Sequence, residues 1–369
     1  LSLYNGFQNP RICFAGAISR VFFSYYLENC IDLFFSSNCR GCSNCFGCIN
    51  LRNKNYCIFN KQFSKEEYKK EMNRWDFGSY KVVQEAKKKF QEIYFKISHR
   101  FANNKSCINV IGDNLQETKN CYYCFGSRSG VENCKYIFWG GLLLKDSYDV
   151  FAGGEKSELL YDVCGVLGGQ KIMFSERTHS SHNIQYSLSN LSCSNLFGCI
   201  GLRNKQYCIL NKQYTKEEYE GLVPKIIEHM NTMPFIDKKG RVYKYGEFFP
   251  PELSPFCYNE TIAQEYFPLT KEQAIEKGYK WKDPEQRDYK IDIKTQDLSD
   301  NIKDVNDDIV GKIIECANAK SQNSELTNCA TAFKIIDSEL EFYRKMNLPL
   351  PRLCPNCRHY ERIKQRNPL

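Results

Sequence analysis

Between Ser64 and His99 the apolar residues Tyr68, Met72, Trp75, Val82, Val83, Ala86, Phe90 and Ile93 recur near the spacing of an amphipathic helix. The break at Asp76-Phe77-Gly78-Ser79 predicts two helices here rather than one. From Lys216 to Met230 the pattern gives a single helix, with a bend at Pro224. The rhythm between residues 105 and 211 is shorter. Strand-like runs such as Asn133–Gly141, Ser147–Gly154 and Leu160–Gly165 end in glycine and recur every 10 to 14 residues, with no long helical pattern among them. Short β runs with regular turn signals fit a sandwich, a propeller or a β-helix.

Self-comparison then changes the picture. Residues 44–68 (NCFGCINLRNKNYCIFNKQFSKEEY) and 195–219 (NLFGCIGLRNKQYCILNKQYTKEEY) match at 19 of 25 positions, at an offset of 151 residues. In each copy a Cys- and aromatic-rich strand region enters an N-K-Q turn, and Ser64 or Thr215 then precedes K-E-E-Y, the signature of a capped helix start. The expected fold is therefore mainly β: a Cys- and aromatic-rich β-solenoid, or β-helix, whose inward positions stack small or flat residues. A two-sheet sandwich is the alternative.

The expected organisation is solenoid turns over 1–63, a helical insertion over 64–104 and a second solenoid stretch with a capping helix over 105–232. A small Pro- and aromatic-rich segment over 233–290 carries a helix capped by Thr270, with Gly278 just past its end. An Asp-rich linker over 291–312 leads to a small α+β module over 313–369. Both chain ends are expected to be cut from something longer.

Composition narrows the function. A hydrophobic content of 42% argues against wholesale disorder, and a net charge of +8 permits nucleic-acid contact without demanding it. No apolar stretch is long enough for a membrane helix, and Ile12–Phe35, broken by Arg20, Glu28 and Asp32, makes a poor signal peptide. Twenty cysteines in a long chain with no secretion signal are expected to be reduced thiols or metal ligands, which places the protein in the cytoplasm.

Candidate chemistry concentrates at the C-terminus. Cys354-Pro355-Asn356-Cys357 is a C-x2-C knuckle, and Cys316 and Cys329 lie upstream. Zinc takes four soft ligands in a tetrahedron, and two pairs brought together by short turns supply them. The segment also resembles the probable zinc-ribbon family through Cys329, Phe333, Glu339, Phe342-Tyr343 and the run Pro351 to Arg358. The resemblance implies a structural zinc site under which an aromatic helix packs. The chain departs from the family in lacking a tight upstream pair: Cys316 is the one partner for Cys329, and His359, a residue beyond Leu369, or no residue at all also stand open for the fourth place.

The run Cys39, Cys42, Cys45, Cys48 has the look of an iron–sulfur motif, but the second copy carries Asn190, Cys193, Leu196 and Cys199 at those positions. A cluster ligand cannot become Leu, so these cysteines are read as small core residues. His179 and His182, with Glu176 nearby, make a weak metal pair. No phosphate loop or nucleophile elbow is present. Arg358, Arg362, Lys364 and Arg366 form a basic tail able to contact phosphates.

Over most of its length the chain resembles uncharacterised bacterial proteins of metagenomic origin, through CFGCIGLRNKQYCILNKQY, YNETIAQEYFPLTKEQA and RKMNLPLPRLCPNCRHYER. The resemblance implies Cys-rich repeats followed by zinc-ribbon segments, and no activity. The expected function is that of a non-enzymatic structural or interaction protein, binding a macromolecular partner, with protein favoured over nucleic acid. Nucleic-acid binding through the basic tail is the alternative, and a glycan-active β-helix enzyme comes third.

Overall fold

The computed structural model describes residues 18–98, 100–283, 289–321, 324 and 327–364. The chain divides into two units, one made of residues 1–98 with 256–369 and the other of residues 99–255. It is mainly β, and its two large sheets are built from consecutive parallel strands.

The first unit opens with β1 (Ile18–Phe22), β2 (Cys30–Phe34), β3 (Ser43–Phe46) and β4 (Asn55–Ile58), closed by the short antiparallel β5 (Lys61–Gln62). Ile18 pairs with Cys30, Ile31 with Ser43 and Ser43 with Asn55, a step of twelve residues each time. Isolated parallel bridges such as Tyr25 with Ser37 and Arg40 with Arg52 keep the same step.

The backbone reason lies in a three-residue rhythm. Every third residue from Arg20 to Phe59 takes a left-handed φ between +46° and +66°. Asparagine and glycine tolerate that region best, and they supply many of these corners, among them Asn29, Asn38, Asn44 and Gly47. Gly47 is doubly required, because a Cβ there would also stand 2.3 Å from the Phe59 ring. The residue after most corners is buried: Leu27, Cys30, Leu33, Ser36, Cys39, Cys42, Cys45, Cys48 and Cys57 all are, while Lys54, after Asn53, is exposed.

Cysteine and serine suit these inward positions because they are small and can donate to a nearby carbonyl. The Cys42 and Cys48 thiols reach the carbonyls of Arg40 and Phe46 at 3.2 and 3.3 Å, and the Ser36 hydroxyl reaches Phe34 at 3.0 Å. Serine does a second job: its oxygen accepts the N–H of the residue twelve positions on, so Ser24, Ser36 and Cys48 form a hydrogen-bonded column. Polar atoms that would otherwise be orphaned in the interior are thereby satisfied. Asn60 ends the stack, accepting from the Ile49 N–H and donating to its carbonyl.

Outside, α1 (Lys65–Met72) and α2 (Tyr80–Lys96) pack Tyr68, Val83, Ala86 and Phe90 over Phe35, Phe46, Ile49 and Ile58. The expected capping box at Ser64 and the split into two helices are both present.

In the second unit ten strands form one sheet. These are β6 (Ile108–Asp113), β7 (Gln116–Phe125), β8 (Arg128–Phe138), β9 (Tyr148–Gly154), β10 (Glu158–Leu167), β11 (Gln170–Glu176), β12 (His182–Gln185), β13 (Ser194–Phe197), β14 (Gln206–Ile209) and the antiparallel β15 (Lys212–Gln213). The step widens to thirteen where Lys135 pairs with Tyr148 and Tyr148 with Tyr161, then returns to twelve from Gln170 and His182 onward. The serine column recurs as Ser175, Ser187 and Cys199, and Asn211 clamps Ile200 as Asn60 clamps Ile49. Helix α3 (Lys216–Thr232), capped by Thr215, packs Tyr219 over Phe197 and Ile209, and a hairpin of β16 (Phe235–Ile236) and β17 (Val242–Tyr243) follows.

The rest of the first unit holds α4 (Ala263–Tyr266), α5 (Lys271–Glu276) capped by Thr270, the pair β18 (Ile314–Glu315) and β19 (Ala332–Phe333), α6 (Asp337–Lys345) and α7 (Pro355–Ile363). Two expected boundaries fall differently. The 233–290 segment is shared between the units, dividing after Pro255. The stretch 291–312 is no free linker, because Leu298, Ile302, Val305 and Ile309 join one core with Ile314, Phe333, Leu340 and Tyr343. That stretch also closes on the α1–α2 break: Asp300 accepts from the Lys81 N–H at 3.1 Å and from the Ser79 hydroxyl, and the Ile302 N–H donates to the Gly78 carbonyl. Asp76 accepts from Asn301, Lys303 and Asn347. Among the described residues, no helix is long and apolar enough to cross a membrane.

Candidate metal centre

Four cysteines far apart in sequence converge in the first unit. Cys316 follows β18, where its N–H donates to the Thr331 carbonyl at 2.8 Å. Cys329 precedes β19 in the same hairpin. Cys354 is the N-cap of α7 and Cys357 lies in its first turn, so the C-x2-C spacing is the rise of one helical turn from its cap. The Sγ atoms of Cys316, Cys329, Cys354 and Cys357 all lie within 4.8 Å of one another. A tetrahedral four-thiolate site with metal–sulfur bonds of about 2.3 Å would space its sulfurs roughly 3.8 Å apart, and Cys329 and Cys354 already stand 4.0 Å apart. Among the described residues this is the one group of His, Cys, Asp and Glu with ligand atoms so placed.

Local bonding prepares the sulfurs as ligands. Backbone N–H groups point at them: Cys354 N–H to Cys316 Sγ at 3.2 Å, Thr331 N–H to Cys329 Sγ at 3.4 Å and Cys357 N–H to Cys354 Sγ at 3.5 Å. Cys316, Cys354 and Cys357 are buried and Cys329 is half-buried. The Cys316 thiol donates toward Cys354 and pulls the Cys354 thiol down to about 4, while Cys316 itself is pushed up by the same contact. The N-terminus of α7 favours a thiolate at Cys354 for an independent reason. Burial pushes the Cys329 thiol up to about 12. The donor set is compatible with a metal site.

Of the candidates for the fourth place, Cys316 lies with the other three thiols. His359 is engaged elsewhere, its Nε2 lying 2.9 Å from Glu265 Oε1. The aromatic helix expected near the metal loop is α6, whose Tyr343 packs in the same core.

Among the described residues of the basic tail, Arg358 and Lys364 have polar side-chain partners. Arg358 donates to the Tyr343 hydroxyl at 3.2 Å, Arg362 is half-buried with its guanidinium pushed down by burial and then by Arg358, and Lys364 pairs with Glu361 at 3.0 Å. Arg366 lies outside the described residues. Cys39, Cys42, Cys45 and Cys48 are interior residues of the first stack, as read, and do not group as a metal site. His179 and His182 do not group with Glu176 either.

One feature was not foreseen. In the second unit, where the strand step is thirteen, a groove of about 390 Å³ is lined by Tyr136, Phe151 and Phe248 together with Asp149, Asp162 and Glu176. Burial, then Asp149 and Glu247, push the Asp162 carboxyl up. These acids lie 13 and 14 residues apart in sequence, so only the strand register brings them together. Comparison of the chain with family models, with curated proteins and with solved structures gives no match.

Proposed function

We propose that the chain is a non-enzymatic structural and interaction protein whose two strand stacks are turns of a β-solenoid and whose four-thiol cluster holds one structural zinc ion. The steady twelve- to thirteen-residue step and the inward position at every third residue support the solenoid. Four thiols with no histidine or carboxylate support zinc in a closed site, the arrangement that stabilises small modules rather than catalysing, and they favour the resemblance to zinc ribbons. Zinc would supply cross-linking of the β18–β19 hairpin to α7. The interior thiols, paired with carbonyls, suit a reducing cytoplasm.

The observation that carries the interaction reading is the outer surface of the second unit, where Tyr123, Tyr136, Leu142, Leu188 and Ile200 are all at least a third exposed. Tyr123 stacks on Tyr136 and Leu188 pairs with Ile200 in parallel register, and contiguous exposed apolar surface marks contact sites. Protein is favoured over nucleic acid because Arg358 and Lys364 already have partners. The test is fluorescence anisotropy of the full chain with single- and double-stranded oligonucleotides between about 50 and about 500 mM salt. The interaction reading expects no salt-sensitive binding. Binding that falls steeply with salt and is lost with Arg362→Ala would overturn it.

The groove favours one second reading, glycan binding or hydrolysis, since carboxylates and aromatic walls are what sugars require. Oligosaccharide titration against Asp162→Asn decides it: loss of binding or of released reducing ends in the variant supports the glycan reading.

A further inference from the structure

The duplication provides a comparison inside one chain. In the first unit α2 lies across the stack with Val83, Ala86 and Phe90 buried, and Phe90 and Tyr94 stand edge-on to Tyr25 at 5.8 and 5.9 Å. Beneath it Ile49 is 1% exposed and Ser37 2%. Ile200, the same position in the second copy, is 60% exposed, and Leu188, which stands where Ser37 does, is 36%. Leu191 and Leu210, at the positions of Arg40 and Phe59, are 40% and 76% exposed.

The backbone beneath does not explain the difference, because Asn60 and Asn211 make the same pair of hydrogen bonds to Ile49 and Ile200. What differs is the cover. After Tyr68 the chain breaks at 73–79 and returns as α2. After Tyr219 helix α3 runs on unbroken to Thr232. Tyr245 and Phe249 then contact Tyr186, the equivalent of Phe35, much as Phe77 contacts Phe35. Among the described residues of the second unit, nothing takes the place of α2.

The uncovered row is also more apolar than its covered counterpart. A leucine stands at 188 where the covered copy has Ser37, and another at 191 where the first copy has Arg40, itself exposed and paired with Glu28. A solvated face would be expected to drift the other way. Leu188 and Ile200 pair in parallel register, and Ile200 lies three residues past Phe197, which α3 covers. A second copy of this chain is the poorer occupant, because the apolar face of its α2 is already seated on its own stack.

We propose that the Leu188–Leu191–Ile200–Leu210 row is the docking surface for an amphipathic helix of another protein, with small aliphatic residues and phenylalanine on its apolar face as α2 has. This rests on the interaction reading above and names the surface and the kind of partner.

The probe is a fluorescent peptide of residues 78–98 added to the full chain and followed by anisotropy. One peptide is expected to bind per chain. Two variants test the face. Leu188→Ser with Leu191→Arg installs residues that the first copy already carries, so the fold accepts them. Ile200→Glu places a charge in the row. Each is expected to weaken binding at least about tenfold, the effect of losing one buried aliphatic contact, whereas Ile31→Glu, exposed on β2, leaves it unchanged. No binding to the native chain, or binding indifferent to both variants, overturns the proposal. Self-association by sedimentation that disappears with Leu188→Ser/Leu191→Arg also overturns it, assigning the face to a second copy. If a native protein partner is still captured by that variant, the interaction reading stands and only this face is wrong.

Discussion

Ile49 and Ile200 are the same residue, at the same place in two near-identical segments, with opposite environments. Replacing each by alanine removes three carbons. At about 0.8 kcal/mol per buried methylene, Ile49→Ala loses about 2.4 kcal/mol of transfer free energy. Because Ile49 is 1% exposed and held between the stack and α2, the vacated volume cannot fill with water, and a cavity contribution brings the expected cost to about 3 kcal/mol. Ile200 is 60% exposed, so less than half of the transfer applies and no closed cavity forms. Its substitution should cost about 1 kcal/mol or less. With two compact units a single melting curve would blend two transitions. Hydrogen exchange read by mass spectrometry separates them: Ile49→Ala should raise exchange across β3, β4 and α2 by about a hundredfold, while β13, β14 and α3 stay as they were. Equal costs at the two sites, or a larger one at Ile200, would refute the assignment of burial to α2.

Other expectations follow the same logic. Cys354→Ser should remove about one equivalent of zinc per chain by elemental analysis and expose β18, β19 and α7 to exchange, as a chelator should in the native protein; iron with a visible charge-transfer band would sink the zinc reading. Asn301, then Asn347, hold the Asp76 carboxyl below its usual range. Stability from this group is therefore full above the ordinary aspartate value of about 4 and lost as pH falls through the depressed native value. Asp76→Asn should lower first-unit stability at neutral pH and flatten its acid limb between about pH 5 and pH 2, measured by urea midpoints; the effect is moderate because the Lys303 partner is well exposed. Ser187→Ala should cost about 1–3 kcal/mol by orphaning the Cys199 N–H in the interior, whereas Ser189→Ala, at an exposed corner, should be near neutral by the same measurement.

Much of the molecule was legible because the signals were local. The helix caps at Ser64, Thr215 and Thr270 depend on residues three apart, and the duplication needed no structure to detect. The demotion of Cys39–Cys48 to core followed from Leu196 in the second copy. The four clustered cysteines were named from spacing, though only geometry puts Cys316 beside the other three and His359 beside Glu265. The packed course of 291–312 was missed because its acidic residues dominate the eye; Leu298, Ile302, Val305 and Ile309, at steps of three and four, were the available clue. The Asp149–Asp162–Glu176 groove had no local trace, since it depends on a register that widens by one residue. The three-residue rhythm was also missed, although asparagines at 29, 38, 44, 50 and 53 were spaced by multiples of three.

That rhythm has an evolutionary consequence. Only one position in three meets the interior, and there the requirement is modest: a small or branched residue, or one able to reach a carbonyl. The two outward positions of each triplet are released from that requirement, so instructions for folding and for surface chemistry are written at different letters of the same word. Such a chain can exchange Ser37 for Leu188, or Arg40 for Leu191, and acquire a new exterior while its scaffold stays as it was. Lengthening by whole twelve-residue strand repeats would add outward surface without inventing a new core.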